Sequence, residues 1–163
     1  MKENKKMLLI AGKSGSGKTY ISRLFGLNLV VSNTTRPMRK NASGVAIEKD
    51  GVDYHFHKVN KLPPFNKFCA HTKRDSYYFW VTPADLKGCD AFIVDVPGIQ
   101  EMKEFYGVKF YDLFEIIYLD CPLWKRIRNM RRRGSSWFQI FRRFRADRTF
   151  NAISNFAHRT IKF

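Results

Sequence analysis

Hydrophobic and polar positions change rhythm repeatedly along the chain, and each change marks an element. Met7-Leu8-Leu9-Ile10-Ala11 is an unbroken apolar run, the pattern of a strand buried on both faces. Tyr20 to Leu27 begins a helix, with Ile21, Leu24 and Phe25 spaced for one apolar face. Asn28 to Ser32 reads as a short strand, and Asn41 to Gly51, with its Gly, Ser, Asn and Asp, as a mobile loop. Asp53 to His57 alternates like a strand, Pro63-Pro64 breaks the chain, and Phe65–His71 and Ser76–Val81 read as further short strands of a small insertion. Thr82-Pro83-Ala84-Asp85 has the N-cap, first-position proline and first-turn acid of a helix start. Ala91–Val96 and Glu115–Asp120 are apolar runs of buried strands. Ile99–Tyr106 is a helix stopped by Gly107, and Leu123–Arg133 a basic helix ended by Gly134. Ser135 restarts a long helix to about Phe156, and Arg159–Phe163 is a last strand. Strands alternating with helices predict an α/β fold with a parallel sheet and ligands at the carboxyl ends of its strands.

Between the first strand and the first helix lies Gly12-Lys13-Ser14-Gly15-Ser16-Gly17-Lys18-Thr19. Its glycines permit turns closed to residues with a Cβ, so successive backbone N–H groups can converge on phosphate oxygens at a helix start. In that pattern Lys18 reaches the β- and γ-phosphates of a nucleotide, and the Thr19 hydroxyl is the predicted Mg²⁺ ligand. The strand-to-helix setting separates this loop from an ordinary flexible Gly/Ser linker.

The 163 residues, with 44% hydrophobic content, fit one domain spanning 1–163. No apolar run approaches a membrane span or a signal-peptide core, so a cytoplasmic location and no membrane partner are expected. Cys69, Cys89 and Cys121 form no C-x-x-C pair and suit a reducing compartment. The formal charge is +16, and from Pro122 onward twelve Lys/Arg face one acid, Asp147. Such a segment reads as a nucleic-acid patch, a phosphate-clamping lid or a solvated helix face. Trp137, Phe141 and Phe144 share one helix face and are read as a packing stripe rather than a base-stacking platform. Oligomeric state is not legible.

Beyond the loop, Ser32-Asn33-Thr34-Thr35-Arg36-Pro37-Met38-Arg39, Gly51-Val52-Asp53-Tyr54-His55-Phe56, Ser76-Tyr77-Tyr78, Asp95-Val96-Pro97-Gly98 and Arg133-Gly134 resemble the guanylate kinase family of nucleoside monophosphate kinases. The resemblance implies a P-loop NTPase three-layer α/β/α core (5–31 and 82–163), a small mixed β-rich monophosphate-binding flap (about 32–81) and a helical lid (about 133–145). It also implies transfer of the ATP γ-phosphate to a nucleoside or deoxynucleoside monophosphate, with ATP and Mg²⁺ as the cofactors. Physically, Arg36 and Arg39 can offer forked donors to one phosphate, with Tyr54 and Tyr78, or Tyr77 in its place, completing the cage. Arg133 and Arg143 are the lid arginines by resemblance; a further family arginine is replaced by Asn129, so either Arg128 substitutes or one contact is lost. Ser32 and Asp95 retain base-reading positions, and Asp95 either touches the base or orients a metal-bound water. The family's base-reading glutamate is Cys69 here, and a thiol cannot accept two strong hydrogen bonds from guanine. GMP or dGMP, an altered base, or several bases therefore stay open, and His71 one strand repeat away could face the same pocket. Further departures are a longer loop between Arg39 and Tyr54, Phe79 in place of the glycine after the tyrosine pair, and a chain ending where the family continues through a helix that borders the donor adenine. A ribose bisphosphate kinase-like enzyme and a non-catalytic basic module binding nucleic acid or protein are the rival readings.

Overall fold

The computed structural model describes residues 5–41, 43–148, 150 and 157–162. Its central sheet has four parallel strands in the order β6 (Ala91–Ile93), β1 (Met7–Gly12), β7 (Phe114–Asp120) and β8 (Arg159–Lys162). The Asn28–Ser32 segment, expected as a full strand, adds only a single parallel bridge, Leu29 to Ala91. A second sheet, β3-β2-β5-β4, is mixed: β2 (Asn33–Thr34) runs parallel to β3 (His55–Phe56) and antiparallel to β5 (Tyr77–Val81), which pairs with β4 (Ala70–Arg74).

Successive residues of β1 point to opposite faces and fill two apolar clusters. Leu9 and Ala11 join Phe92, Val94, Ile116 and Tyr118 under α3 (Val96–Tyr106), whose Ile99 and Met102 are fully buried. Each of those two side chains contributes roughly 1.5–3 kcal/mol of burial. Ile10 turns the other way, toward Leu119, Ile21 and Leu27 beside α1 (Lys18–Leu24). Helices thus cover both faces of the sheet, which is the three-layer arrangement expected.

Several elements differ from the sequence pattern. Leu24 and Phe25 are 63% and 68% exposed, so α1 buries Ser22 and half-buries Ile21 rather than covering a broad apolar face. Phe65–Lys67 is a 3₁₀ turn, and β4 starts only at Ala70. Asp95 does not finish a strand; its carboxylate accepts the Gly98 N–H at 3.0 Å and caps α3 three residues earlier than periodicity suggests. After Gly107 a 3₁₀ turn leads into an unforeseen short helix, α4 (Phe110–Leu113), whose Phe110 is fully buried. The predicted start at Thr82 holds: in α2 (Pro83–Leu86), Asp85 accepts from both the Thr82 N–H and hydroxyl. Helix α5 (Leu123–Arg132) ends as expected, and α6 (Trp137–Ala146) is capped by Ser136 with Gln139 reciprocating. The long final helix therefore stops at Ala146; its expected continuation over 151–156 lies outside the described residues.

Candidate active site

The glycine loop follows the carboxyl end of β1, at the centre of the parallel sheet, and its last residues open α1. A Cβ on Gly12 would lie 2.9 Å from the Leu119 carbonyl, so only glycine fits this approach of loop to β7. Gly15 and Gly17 take the left-handed conformation, at φ +80° and +87°. Lys18 folds back so that its Nζ donates to the carbonyls of Gly12 (2.6 Å) and Lys13 (3.2 Å). Burial pulls the Lys18 pKa down to about 8, with Arg126 and Arg133 adding to the fall and Asp147 and Asp95 opposing it. A buried ammonium of lowered pKa is a cation short of anionic partners. Among the described residues, Ser16 Oγ is buried with no partner and the first turn of α1 has no side-chain cap. These three features fit the anionic tail of a nucleotide, and half-buried Thr19 stands in that same first turn.

Ser14 and Gly15 are gripped by residues the sequence did not single out as a unit. Both Ser14 N–H and Ser14 Oγ donate to the Asp147 carboxylate, at 3.0 and 3.1 Å. Arg126 donates through Nε to the Ser14 carbonyl at 2.9 Å and through its terminal nitrogen to Asp147. Asn129 donates to the Gly15 carbonyl at 2.9 Å. Beside this group a cavity of about 390 Å³ is lined by Lys13, Leu123, Arg126, Phe144, Asp147 and Arg148. A second hollow, lined by Lys6, Leu86 and Tyr106 among others, shares no residue with the loop.

Of the two forked arginines, Arg36 is already engaged. Its two terminal nitrogens meet both Glu48 oxygens at 2.9 and 2.7 Å, and Glu48 also accepts the Arg39 N–H at 2.7 Å. Tyr54 and Phe56 lie against the Arg36 guanidinium, with ring centroids 5.4 and 5.8 Å from its carbon, and its Nε is buried without a partner among the described residues. Burial would raise the Glu48 pKa, but the hydrogen bonds from Arg36 and the Arg39 amide hold it below the usual carboxylate range. The expectation that Arg36 offers its fork to a phosphate therefore meets a competitor: a carboxylate from the long loop fills that fork, and the mostly exposed Arg39 meets the same carboxylate at a looser 3.6 Å.

Arg143 comes close enough to Arg39 and Arg133 that burial first, and then those two charges, lower its pKa. Arg143 also donates to Ser135 Oγ at 3.2 Å. Residues from the flap region, the end of α5 and α6 thus converge; Asp147 opposes the effect on Arg143 and Glu48 lies 3.6 Å from Arg39, but the arginine charges outweigh them at Arg143, which is the electrostatics of an anion site. Asp95 uses its second oxygen for Arg74, at 2.5 Å, tying the β4–β5 hairpin to the central sheet. Arg74 escaped the sequence reading because nothing local marks its partner. The Ser32 carbonyl accepts the His55 N–H, and the Tyr78 main chain pairs with Thr34 and Thr35. The Tyr78 ring packs on Phe65 with Lys73 over it at 5.2 Å.

Cys69 does not face a cleft. It is fully buried, its thiol donates to the Val81 carbonyl at 3.3 Å, and burial pushes its pKa up to about 11. His71 is held instead by Glu101, whose carboxylate lies 3.0 Å from Nδ1 and accepts the His71 N–H. The aromatic stripe of α6 is likewise corrected. Trp137 and Phe141 are 53% and 64% exposed, while Ile140 supplies the buried contact and Phe144 packs on the Arg126 guanidinium at 5.2 Å.

A glycine loop leaving the central strand of a parallel sheet, with helices on both faces and a small mixed sheet beside it, defines the P-loop nucleotide-binding fold. Within that class the chain is similar in sequence to several proteins named guanylate kinase. It is 35% identical to the guanylate kinase of Nitrobacter hamburgensis over 60% of this chain and 48% of that protein. The Rhodospirillum rubrum guanylate kinase is 33% identical over 60% and 49%, and that of Chlorobaculum tepidum 31% identical over 72% and 62%. The chain thus spans about half the length of the first of these relatives. A crystal structure of guanylate kinase from Anaplasma phagocytophilum superposes with a TM-score of 0.58 over 97% of this chain and 77% of that one, at 18% identity, so the fold is shared. No protein-family profile matches the chain.

Proposed function

We propose that the protein is a phosphotransferase that moves the γ-phosphoryl group of ATP to a nucleoside or deoxynucleoside monophosphate. The observation that carries this reading is the convergence of Arg39, Arg133 and Arg143 near a glycine loop whose Lys18 is buried and short of anions. The second sheet serves as the acceptor flap and α6 as the lid, within one domain. The acceptor phosphate docks on the mostly exposed Arg39, while Glu48, Tyr54 and Phe56 fix the plane of Arg36 beside it. Lys18 exchanges its loop carbonyls for the donor's terminal phosphates, and Arg133 and Arg143 neutralise charge spreading over the transferred group. No protein base is required, because the attacking phosphate oxygen is already anionic; alignment and charge neutralisation supply the rate. Half-buried Thr19 in the first turn of α1 would hold Mg²⁺ together with phosphate oxygens, where the ion would neutralise phosphate charge. No described helix is long and apolar enough to cross a membrane.

The relatives named guanylate kinase favour GMP or dGMP as acceptor. The burial of Cys69 and the Arg74–Asp95 pair favour a base contact other than a guanine-reading carboxylate at position 69, and keep a base-free sugar phosphate as the second reading. A coupled ADP-release assay against ribo- and deoxynucleoside monophosphates and a ribosyl phosphate tests this. Turnover with at least one nucleotide is expected, and Lys18→Ala should lower it by at least about a hundredfold. Turnover that survives Lys18→Ala, or none with any nucleotide, refutes the proposal.

A further inference from the structure

Ser14 occupies an internal position of the glycine loop, yet all three of its polar groups are claimed by two side chains from far along the chain. Asp147 accepts its N–H and hydroxyl; Arg126 donates to its carbonyl and to Asp147. Both side chains are 7% exposed. Asn129 binds the next carbonyl, and a Cβ on Gly15 would lie 2.6 Å from the Arg126 carbonyl, so the backbone of α5 lies directly against the loop. Asp147 is also the C-cap residue of α6, which brings Arg143 to the site.

We propose that Arg126 and Asp147 are positioning residues for the nucleotide donor: the pair locks the first turn of the glycine loop and couples it to the end of helix α6. A loop with glycines at 12, 15 and 17 has much conformational freedom to lose when it binds phosphate. Fixing Ser14 and Gly15 beforehand removes part of that cost, which appears as affinity for the triphosphate rather than for the acceptor. The pair is more than a stability device, because a buried ion pair can often be replaced by apolar side chains of similar volume with no loss of stability. If stability were its whole role, such a replacement would leave nucleotide binding intact.

The inference rests on the kinase reading, and calorimetric binding keeps the two separable. Titrations with Mg-ATP and with pyrophosphate would compare the full wild-type chain with Asp147→Asn, Arg126→Lys and the double replacement Arg126→Met/Asp147→Leu, with thermal melts alongside. Each single variant should weaken both ligands about tenfold, without changing affinity for the acceptor monophosphate. Arg126→Lys keeps the charge and loses the forked reach, so it tests the geometry even if the double variant fails to fold. In the double variant the melting temperature should return toward wild type while triphosphate binding stays weak. Recovery of affinity together with stability would reduce the pair to a structural role and overturn the proposal. Tighter binding in Asp147→Asn would make Asp147 a competitor for the anion site, which overturns it equally. Wild-type chain that binds no triphosphate would remove the kinase reading and this one together, whereas wild-type binding matched by every variant removes this one alone.

Discussion

Lys18 carries the site's most testable electrostatics. With its pKa near 8 in the ligand-free chain, a sizeable fraction is neutral at pH 8.5, and a bound triphosphate favours the charged form. Binding at that pH should therefore take up a proton, read as a dependence of the calorimetric enthalpy on the buffer's ionisation heat; Lys18→Met should abolish it. The same depression means the unfolded chain binds more protons than the folded one between about 8 and the lysine's ordinary value, so this residue's contribution to stability rises with pH across that window. Glu48 works in the opposite range. Its lowered pKa gives stability that is present above the ordinary carboxylate value and is lost as pH falls through the folded one. Glu48→Gln should flatten that acid limb and, by leaving the 13% exposed Arg36 side chain uncompensated, destabilise the fold by about 1–3 kcal/mol in urea denaturation. Little of this was legible locally: Glu48 sits in a loop that reads as mobile, and its partner is twelve residues away. The glycine loop itself was legible, because a turn with positive φ at Gly15 and Gly17 needs glycines at fixed spacing. The Arg126–Asp147 and Arg74–Asp95 pairs were not, because packing chooses their partners.

Among the elements, the β4–β5 hairpin is pinned at both ends of its turn. Asp75 and Ser76 both have positive φ, at 49° and 70°, the demand of a two-residue hairpin turn best met by Asn-Gly. Asp75→Asn/Ser76→Gly should raise the melting temperature by roughly 2–4 °C per kcal/mol gained, since the Asp75 contact with Arg142 is an exposed pair at 3.5 Å and contributes little. Arg74 beside that turn then decides where the hairpin sits against Asp95. Strands β1 and β7 were readable as apolar runs, because a parallel strand covered on both faces has no polar side to show. Helix α6 was misread for the complementary reason. Its aromatic spacing fits a packing face, but the burial goes to Ile140 and leaves Trp137 and Phe141 in solvent. The early start of α3 had a signal, Asp95 followed by proline within the first turn and glycine at the third position.

Over the whole molecule, thirty basic side chains against fourteen acidic ones give a field that draws in polyphosphates. Raising ionic strength from about 0.01 M to about 0.15 M shortens the screening length from about 30 Å to about 8 Å, so KM for ATP should rise while kcat changes little. A KM indifferent to salt would confine the excess charge to other partners, with nucleic acid the first to test. The α/β class and the order of elements could be read in advance, and the superposition on a guanylate kinase bears out the fold. The second sheet's strand order could not, since β2 and β3 are two residues each and gain their pairing from the loops that bring them together. The central claim is that this chain joins a phosphoryl donor held by Gly12–Thr19 to an acceptor held by Arg39, with Arg36 fixed beside it. Incubation with ATP labelled in the γ-phosphate, Mg²⁺ and a panel of monophosphates tests it most directly. The account predicts label in a nucleoside diphosphate, dependent on Mg²⁺ and lost in Lys18→Ala; label appearing only as inorganic phosphate, or remaining wholly in ATP with every acceptor, would contradict it.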